Sequence, residues 1–190
     1  MTTQKKEEVI EIQAVRKRNF LFTIEGLSPL ICHRRSPENI RPNPGHEHND
    51  EEDFKNALYP KVGGKHSFIA AGLKKCAVGA AGRFLRSVKS GVAKGSFFIP
   101  VEYVPIEGDE PIKRSDVVTI MKNAIIRTRA QFNKWKIVFP VEFSVVGNIS
   151  VEQIVNLFNV AGTCIGLGDW RPEKGGIFGR FKVIEVKELK

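Results

Sequence analysis

Residues 135–146 read WKIVFPVEFSVV, and Ile137, Phe139, Val141, Phe143 and Val145 fall on alternate positions. A period of two sustained over this length dictates a strand with one buried face. Gly147 and Asn148 then make a turn, and Ser150 stands where a helix is capped, with Glu152 or Gln153 near the position that completes a capping box. A helical stripe of Ile154, Val155, Leu157, Phe158 and Ala161 follows, and residues 177–186, IFGRFKVIEV, alternate again. A strand, a helix and a strand that share one apolar side must be layered, helix on sheet.

The upstream half repeats the scheme. FLFTI at residues 20–24 predicts a first strand, and the apolar pattern resumes after Gly26 in LSPLICH. Ser67 reads as the N-cap of a helix reaching about residue 88, with Phe68, Ile69, Leu73, Cys76, Ala77, Ala80 and Phe84 on its apolar face. Lys74, Lys75, Arg83 and Arg86 form its polar side. SFFIPVEYVPI, from Ser96, predicts a strand that Pro100 and Pro105 push towards a sheet edge. The order strand, helix, strand, excursion, strand, helix, strand predicts an α+β fold with a ferredoxin-like, RNA-recognition-type βαββαβ core.

Two segments stand apart from that core. Residues 36–64 carry four prolines, three glycines and an acidic run at 47–53 with no sustained period, so 36–65 is expected to be a finger-like loop insertion. Residues 109–134 contain a turn, a short strand DVVTI and then MKNAIIRTRAQFNKW, a thumb-like excursion. The 190 residues fit a single domain, with residues 1–16 as a flexible tail. Spanning a bilayer takes about 18 consecutive apolar residues, and neither such a run nor a signal-like N-terminus is visible, so a cytoplasmic protein with no membrane partner is expected.

Thirty lysines and arginines against twenty-one acids leave a net charge of +9, which favours a polyanionic partner. The excess is local. Between Pro111 and Pro140 there are seven basic residues and one acid, interleaved with Phe132 and Trp135. Rings can stack on bases while cations hold the phosphates, so Arg127, Arg129, Lys134, Trp135 and Lys136 are candidate nucleic-acid contacts. A solvated surface hairpin gives the same string.

A second concentration lies at residues 162–181, GTCIGLGDWRPEKGGIFGRF, with six glycines and one proline among its cations and rings. Glycine lets a backbone approach a ligand closely, so this loop, with Trp170, Arg171, Lys174 and Arg180, is a candidate contact surface for the same strand. Arg171 can instead pair with Asp169 or Glu173 and fix the loop, and Trp135 can belong to the core. Arg34 and Arg35 at a strand end, and Lys74 and Lys75 on the helix, complete the candidate set.

No Walker loop, G-x-S-x-G elbow or H-E-x-x-H motif is present. GLGDWRPEKGG follows a helix and leads into a strand, the reverse of a mononucleotide loop. Cys32, Cys76 and Cys164 are far apart and odd in number, which reads as small buried residues rather than a disulfide or zinc framework. His46 and His48 flank Glu47 in an acidic, proline-bearing stretch that reads as a polar loop. No metal and no cofactor is expected.

IEGLSPLICHRR, HSFIAAGLKKCA, IIRTRAQFNKWKIVFPVEF and above all GLGDWRPEKGGIFGRFKV together resemble phage-type relatives of the repeat-associated mysterious protein superfamily, whose best-known members are the backbone subunits of CRISPR effector complexes. The resemblance spans residues 20–186. It implies a modified RNA-recognition fold with a thumb-like hairpin and finger-like insertions, in proteins that polymerise along a single strand of RNA or DNA. The chain is shorter than the usual CRISPR backbone subunit, which suits a stand-alone binder. Some members of the superfamily cleave RNA with a loop aspartate, for which Asp50 or Asp53 are the matching positions.

The expectation is therefore a non-catalytic single-stranded nucleic-acid-binding protein that coats a strand cooperatively with low sequence specificity, as a homo-oligomer or filament. The alternatives are a metal-dependent RNA-cleaving member of the superfamily and a structural or interaction protein of a phage or effector assembly.

Overall fold

The computed structural model describes residues 14–34, 49–120, 122–144 and 149–189. Along the chain these form β1 (Lys17–Gly26), β2 (Leu30–Cys32), α1 (Asp50–Ala57), β3 (Ser67–Ile69), α2 (Ala70–Ala80), α3 (Ser90–Ser96) and β4 (Phe97–Phe98). There follow β5 (Tyr103–Gly108), β6 (Ile112–Ile120), β7 (Asn123–Phe132), β8 (Trp135–Ser144), α4 (Val151–Cys164) and β9 (Phe181–Leu189). The fold is α+β with antiparallel sheets. The larger sheet runs β3-β5-β8-β1-β9, with β4 also paired to β8.

Alternation builds this sheet. Phe20, Phe22 and Ile24 of β1 sit opposite Val141, Phe139 and Ile137 of β8, and all six are buried on one face. Helix α4 lays its own stripe over them, bringing the Phe158 ring to 5.2 Å from Phe22 and 5.5 Å from Phe139. Its start is the capping box expected from Ser150, whose hydroxyl accepts from the Gln153 amide while the Gln153 side chain accepts from the Ser150 amide. Helix α2 joins the same core through Leu73, Cys76, Ala77 and Ala80.

On the opposite face of the sheet the charged side chains neutralise one another around Leu21, Val138 and Pro140. Lys17 pairs with Glu142 at 3.0 Å, Lys182 with Glu25 at 3.0 Å, and Lys65 and Lys136 both reach Glu107, at 3.4 and 3.3 Å. Its lysines are thus matched by carboxylates.

Three expectations need correction. The helix from Ser67 begins only at Ala70, because residues 67–69 pair as a strand with Tyr103, Val104 and Pro105. The Ser67 hydroxyl, rather than capping, donates to the Pro60 carbonyl. That helix also ends at Ala80 instead of residue 88, in a stretch where Gly79 and Gly82 supply little helix propensity, and Phe84 is exposed. The second strand is split: α3 takes residues before Phe97, Pro100 has no N–H to give a ladder, and β4 and β5 occupy the two ends of one β8 edge. Pro105 does not mark an edge. Strand β5 lies between β3 and β8, and its ladder with β8 starts one residue later, at Ile106.

Within 109–134 the chain forms a long hairpin, β6 against β7 from Ile112↔Gln131 to Ile120↔Asn123, and β2 adds a third strand through Leu30↔Phe132. Helix α1 clamps one face of it. Asn49 caps the helix by accepting from the Glu51 and Glu52 amides. The Asp50 carboxylate accepts from the Ser115 hydroxyl at 3.1 Å and from the Thr128 hydroxyl, and Lys113 pairs with Glu51. Of the expected finger, residues 36–48 lie outside the described residues, as do His46, Glu47, His48, Arg35 and most of the N-terminal segment.

Candidate nucleic-acid interface

Strands β6 and β7 put alternate residues on opposite faces, so Arg114, Asp116 and Val118 share a face with Arg129, Arg127 and Ile125, their register partners. This is the face turned away from α1. It meets the glycine-rich loop and helix α2 around a groove of roughly 980 Å³. Gly72, Lys75 and Gly79 line one wall, Val118, Arg127 and Arg129 another, and residues 165–171 with Glu173 and Lys174 the third.

The glycine loop is held tightly. Leu167 N–H donates to the Gly179 carbonyl, Asp169 N–H to Ile31, Glu173 N–H to Ile165, Gly176 N–H to Arg171, Phe178 N–H to Trp170 and Gly179 N–H to Pro29, all within 3.1 Å. Amides expected to approach a ligand are therefore largely consumed by the loop itself. The glycines serve chain-on-chain contact: at Gly168, with φ +71, a β-carbon would collide with the Ile31 carbonyl oxygen. Beneath the loop, buried Cys76 donates its thiol to the Gly166 carbonyl at 3.3 Å. Burial also pushes that thiol well above its ordinary pKa, a small mitigating charge from Arg171 notwithstanding.

One chain of alternating charges joins loop to hairpin. Arg129, only 1% exposed, reaches Asp116 at 2.5 Å and Asp169 at 3.2 Å. His33 Nδ1 lies 3.1 Å from the same Asp169 oxygen, and Arg114 Nε 2.9 Å from Asp116. Burial pushes the Asp169 carboxyl upward, but the hydrogen bond and charge of His33, then those of Arg129, outweigh it and hold it below the usual carboxylate range. Asp116 is likewise depressed: burial raises it, and Arg114 and Arg129 prevail.

Trp170 closes this constellation. Its ring borders the groove, 38% exposed, with the Arg129 guanidinium 4.8 Å and the Arg114 guanidinium 5.4 Å from its centroid and Phe178 at 6.2 Å. Its backbone is left-handed at φ +52, a conformation that costs a non-glycine residue on the order of 1–2 kcal/mol.

The structure gathers some of the expected contacts and separates others. Lys75, Arg127, Trp170, Arg171 and Lys174 all line the groove. Arg129 lines it as well, but as a buried ion-pair partner. Arg171 pairs with Glu173 at 2.7 Å and donates to the Gly168 carbonyl, the loop-fixing alternative. Trp135 is core, 3% exposed, with its indole N–H donating to the Ser28 carbonyl, so it has no face to offer a base. Lys134 and Lys136 flank a separate cavity of roughly 470 Å³ beside Trp135, and Lys136 is engaged by Glu107. Lys74 points its ammonium at Phe98, 4.1 Å from the ring centroid, and does not line the groove. Arg180 is exposed and also outside the groove, its backbone holding Leu27 and Ser28. Arg34 is half-buried, its amide bonded to the Ala57 carbonyl.

Sequence reasoning missed Asp116 and His33, which organise the site, offered Asp169 to Arg171 rather than to Arg129, and did not single out Arg83, which lines the groove and pairs with Glu173 at 3.3 Å. Asp116 carried a signal: it is the lone acid among seven cations in residues 111–140, as a buried counter-ion would be. Asp50, the position matched to a cleaving aspartate, is occupied with the hydroxyls that fasten α1.

No family model and no curated protein matches this sequence. Among solved structures the chain is similar to a chain in the cryo-EM structure of the type III-B Cmr-beta bound to cognate target RNA, with a TM-score of 0.56 and 11% identity over 92% of this chain. This chain spans 61% of the length of that one, and at such identity the likeness is one of fold.

Proposed function

We propose that this protein is a non-catalytic single-stranded nucleic-acid-binding subunit that lays one strand along the groove between α2, the glycine-rich loop and the β6–β7 hairpin. The observation that carries this reading is the convergence there of cations from three separated stretches of sequence. Lys75, Arg127 and Lys174 line the groove and make no ion pair among the described residues, while the lysines of the open sheet face are matched by carboxylates. Unpaired cations beside a half-exposed indole suit phosphate and base together.

Two further points support it. Taking β4 and β5 as one strand, the sheet order β9-β1-β8-β4/β5 with α2 and α4 suits the ferredoxin-like core that the resemblance to the repeat-associated mysterious proteins implies. The similar type III-B Cmr-beta chain comes from a complex bound to RNA. Engagement of Asp50 by hydroxyls favours a structural role for that carboxylate over metal-dependent cleavage. Coating of a strand by repeated copies is the assembly this reading entails.

Binding of fluorescent single-stranded RNA, single-stranded DNA and duplex DNA across a salt series tests the reading. Three groove phosphates should give a logarithmic salt slope of about −2 for single strands, at roughly −0.7 per contact. Sigmoidal saturation on long strands should report coating. Equal affinity for duplex, or affinity indifferent to salt, would overturn it.

A further inference from the structure

We infer that Trp170 is a fixed stacking platform that holds one nucleobase of the bound strand and gives each subunit a preference for a purine there. This rests on the groove reading above and adds base selection to it.

The argument begins with what keeps the indole in place. Trp170 stands in a left-handed backbone position that glycine would fill without strain, and the neighbouring loop is rich in glycine, yet this position carries the largest side chain. The conformation is secured from several sides: the Trp170 carbonyl accepts from the Phe178 amide at 3.0 Å, and Gly176 packs against the Trp170 backbone so closely that a β-carbon would collide with that carbonyl. Strain that the surroundings over-determine points to a placed functional group.

Two cations also hold the ring. Arg129 and Arg114 hold guanidinium groups within 4.8 and 5.4 Å of its centroid, and Arg114 also lies 4.7 Å from the Phe178 centroid. Both arginines are tied to Asp116, and Arg129 to Asp169, so neither can swing away to follow a phosphate. Guanidinium groups over an indole are attracted by its ring quadrupole and so hold the ring in one plane. A purine offers more stacking surface than a pyrimidine, and stacking strength is a recognised source of modest base preference in single-strand binders. Lys75, Arg127 and Lys174, on the walls of the same groove, hold the strand's phosphates beside the ring.

The test uses the full chain and short RNA homopolymers of adenine, of uracil, and an abasic strand of equal length, followed by anisotropy and by tryptophan emission. The chain has two tryptophans, and Trp135 is buried in the core, so quenching on binding reports Trp170. The expected result is about three- to tenfold tighter binding of adenine than uracil strands, with quenching by both and none by the abasic strand. Trp170→Gly, which suits the left-handed backbone, should lose the quenching and the preference while keeping the salt slope. Should that variant fail to fold, the comparison of adenine, uracil and abasic strands on the unaltered protein decides alone. Strands that bind with the expected salt slope but show no purine preference, or equal quenching by the abasic strand, would overturn the platform and leave the groove reading standing. Failure of every strand to bind would overturn the groove reading itself.

Discussion

Arg129 on strand β7 and Asp169 in the glycine-rich loop meet at 3.2 Å, forty residues apart in sequence, and this contact fastens one wall of the groove to another. Asp116 takes the remaining charge of the same guanidinium. Arg114, Asp116, Arg129 and Asp169 alternate in charge through the joint, and the His33 ring adds a hydrogen-bonding contact to Asp169.

Removing the middle cation leaves two carboxylates facing each other across a poorly solvated gap. Arg129→Met is expected to destabilise the fold by about 2–4 kcal/mol, towards the lower figure because Asp169 keeps some contact with water. Chemical denaturation measures this. A double-mutant cycle with Asp169→Asn should show a coupling of at least about 1 kcal/mol, and simple additivity would contradict the joint.

Acid should open the same joint. Asp169 and Asp116 both titrate below the ordinary carboxylate value when folded, so their contribution is fully present above about pH 4 and is lost as pH falls through the lowered native values. Thermal midpoints recorded from pH 7 to pH 3 should therefore fall more steeply for the unaltered protein than for Asp169→Asn, the two curves converging in acid. Parallel curves would show that Asp169 contributes no such linkage.

Two glycines of the loop separate backbone conformation from close packing. Both are left-handed, Gly168 at φ +71 and Gly175 at φ +77, but Gly175 faces open space whereas Gly168 abuts the Ile31 carbonyl. Gly175→Ala should cost about 1–2 kcal/mol from conformation alone. Gly168→Ala should cost a further 1–3 kcal/mol, roughly, because the loop must lift from β2. Equal losses in a denaturant titration would mean that the contact with Ile31 is not tight.

Elements whose apolar period sets a single buried face were legible before any coordinates. Strand β8 and the capped helix α4 fall where their residues predict, since each needs only local information, whereas the alternation that begins at Ile177 becomes strand only from Phe181, because Phe178 and Gly179 are held in the loop by Trp170 and Pro29. Ser67 to Ile69 was misread because pairing with Tyr103 to Pro105 overrides a helical pattern, a choice made by residues more than thirty positions away. The cationic stretch and the glycine loop were recognised as one surface. Their division of labour was hidden, because nothing local distinguishes Arg129, sequestered by Asp116 and Asp169, from Arg127 two residues earlier. Trp135 looked like Trp170 for the same reason: burial under Phe181 and the bond to Ser28 are tertiary facts.

Charge reversal on two faces of the molecule tests the central claim most directly. Lys75→Glu/Arg127→Glu alters the groove, and Lys17→Glu/Lys182→Glu alters the open sheet face by the same formal charge. Affinity for single-stranded RNA at fixed ionic strength should fall at least about tenfold for the groove variant, with a shallower salt slope, and by far less for the sheet-face variant. Undiminished binding by the groove variant, or an equal loss by both, would contradict a strand path through the groove.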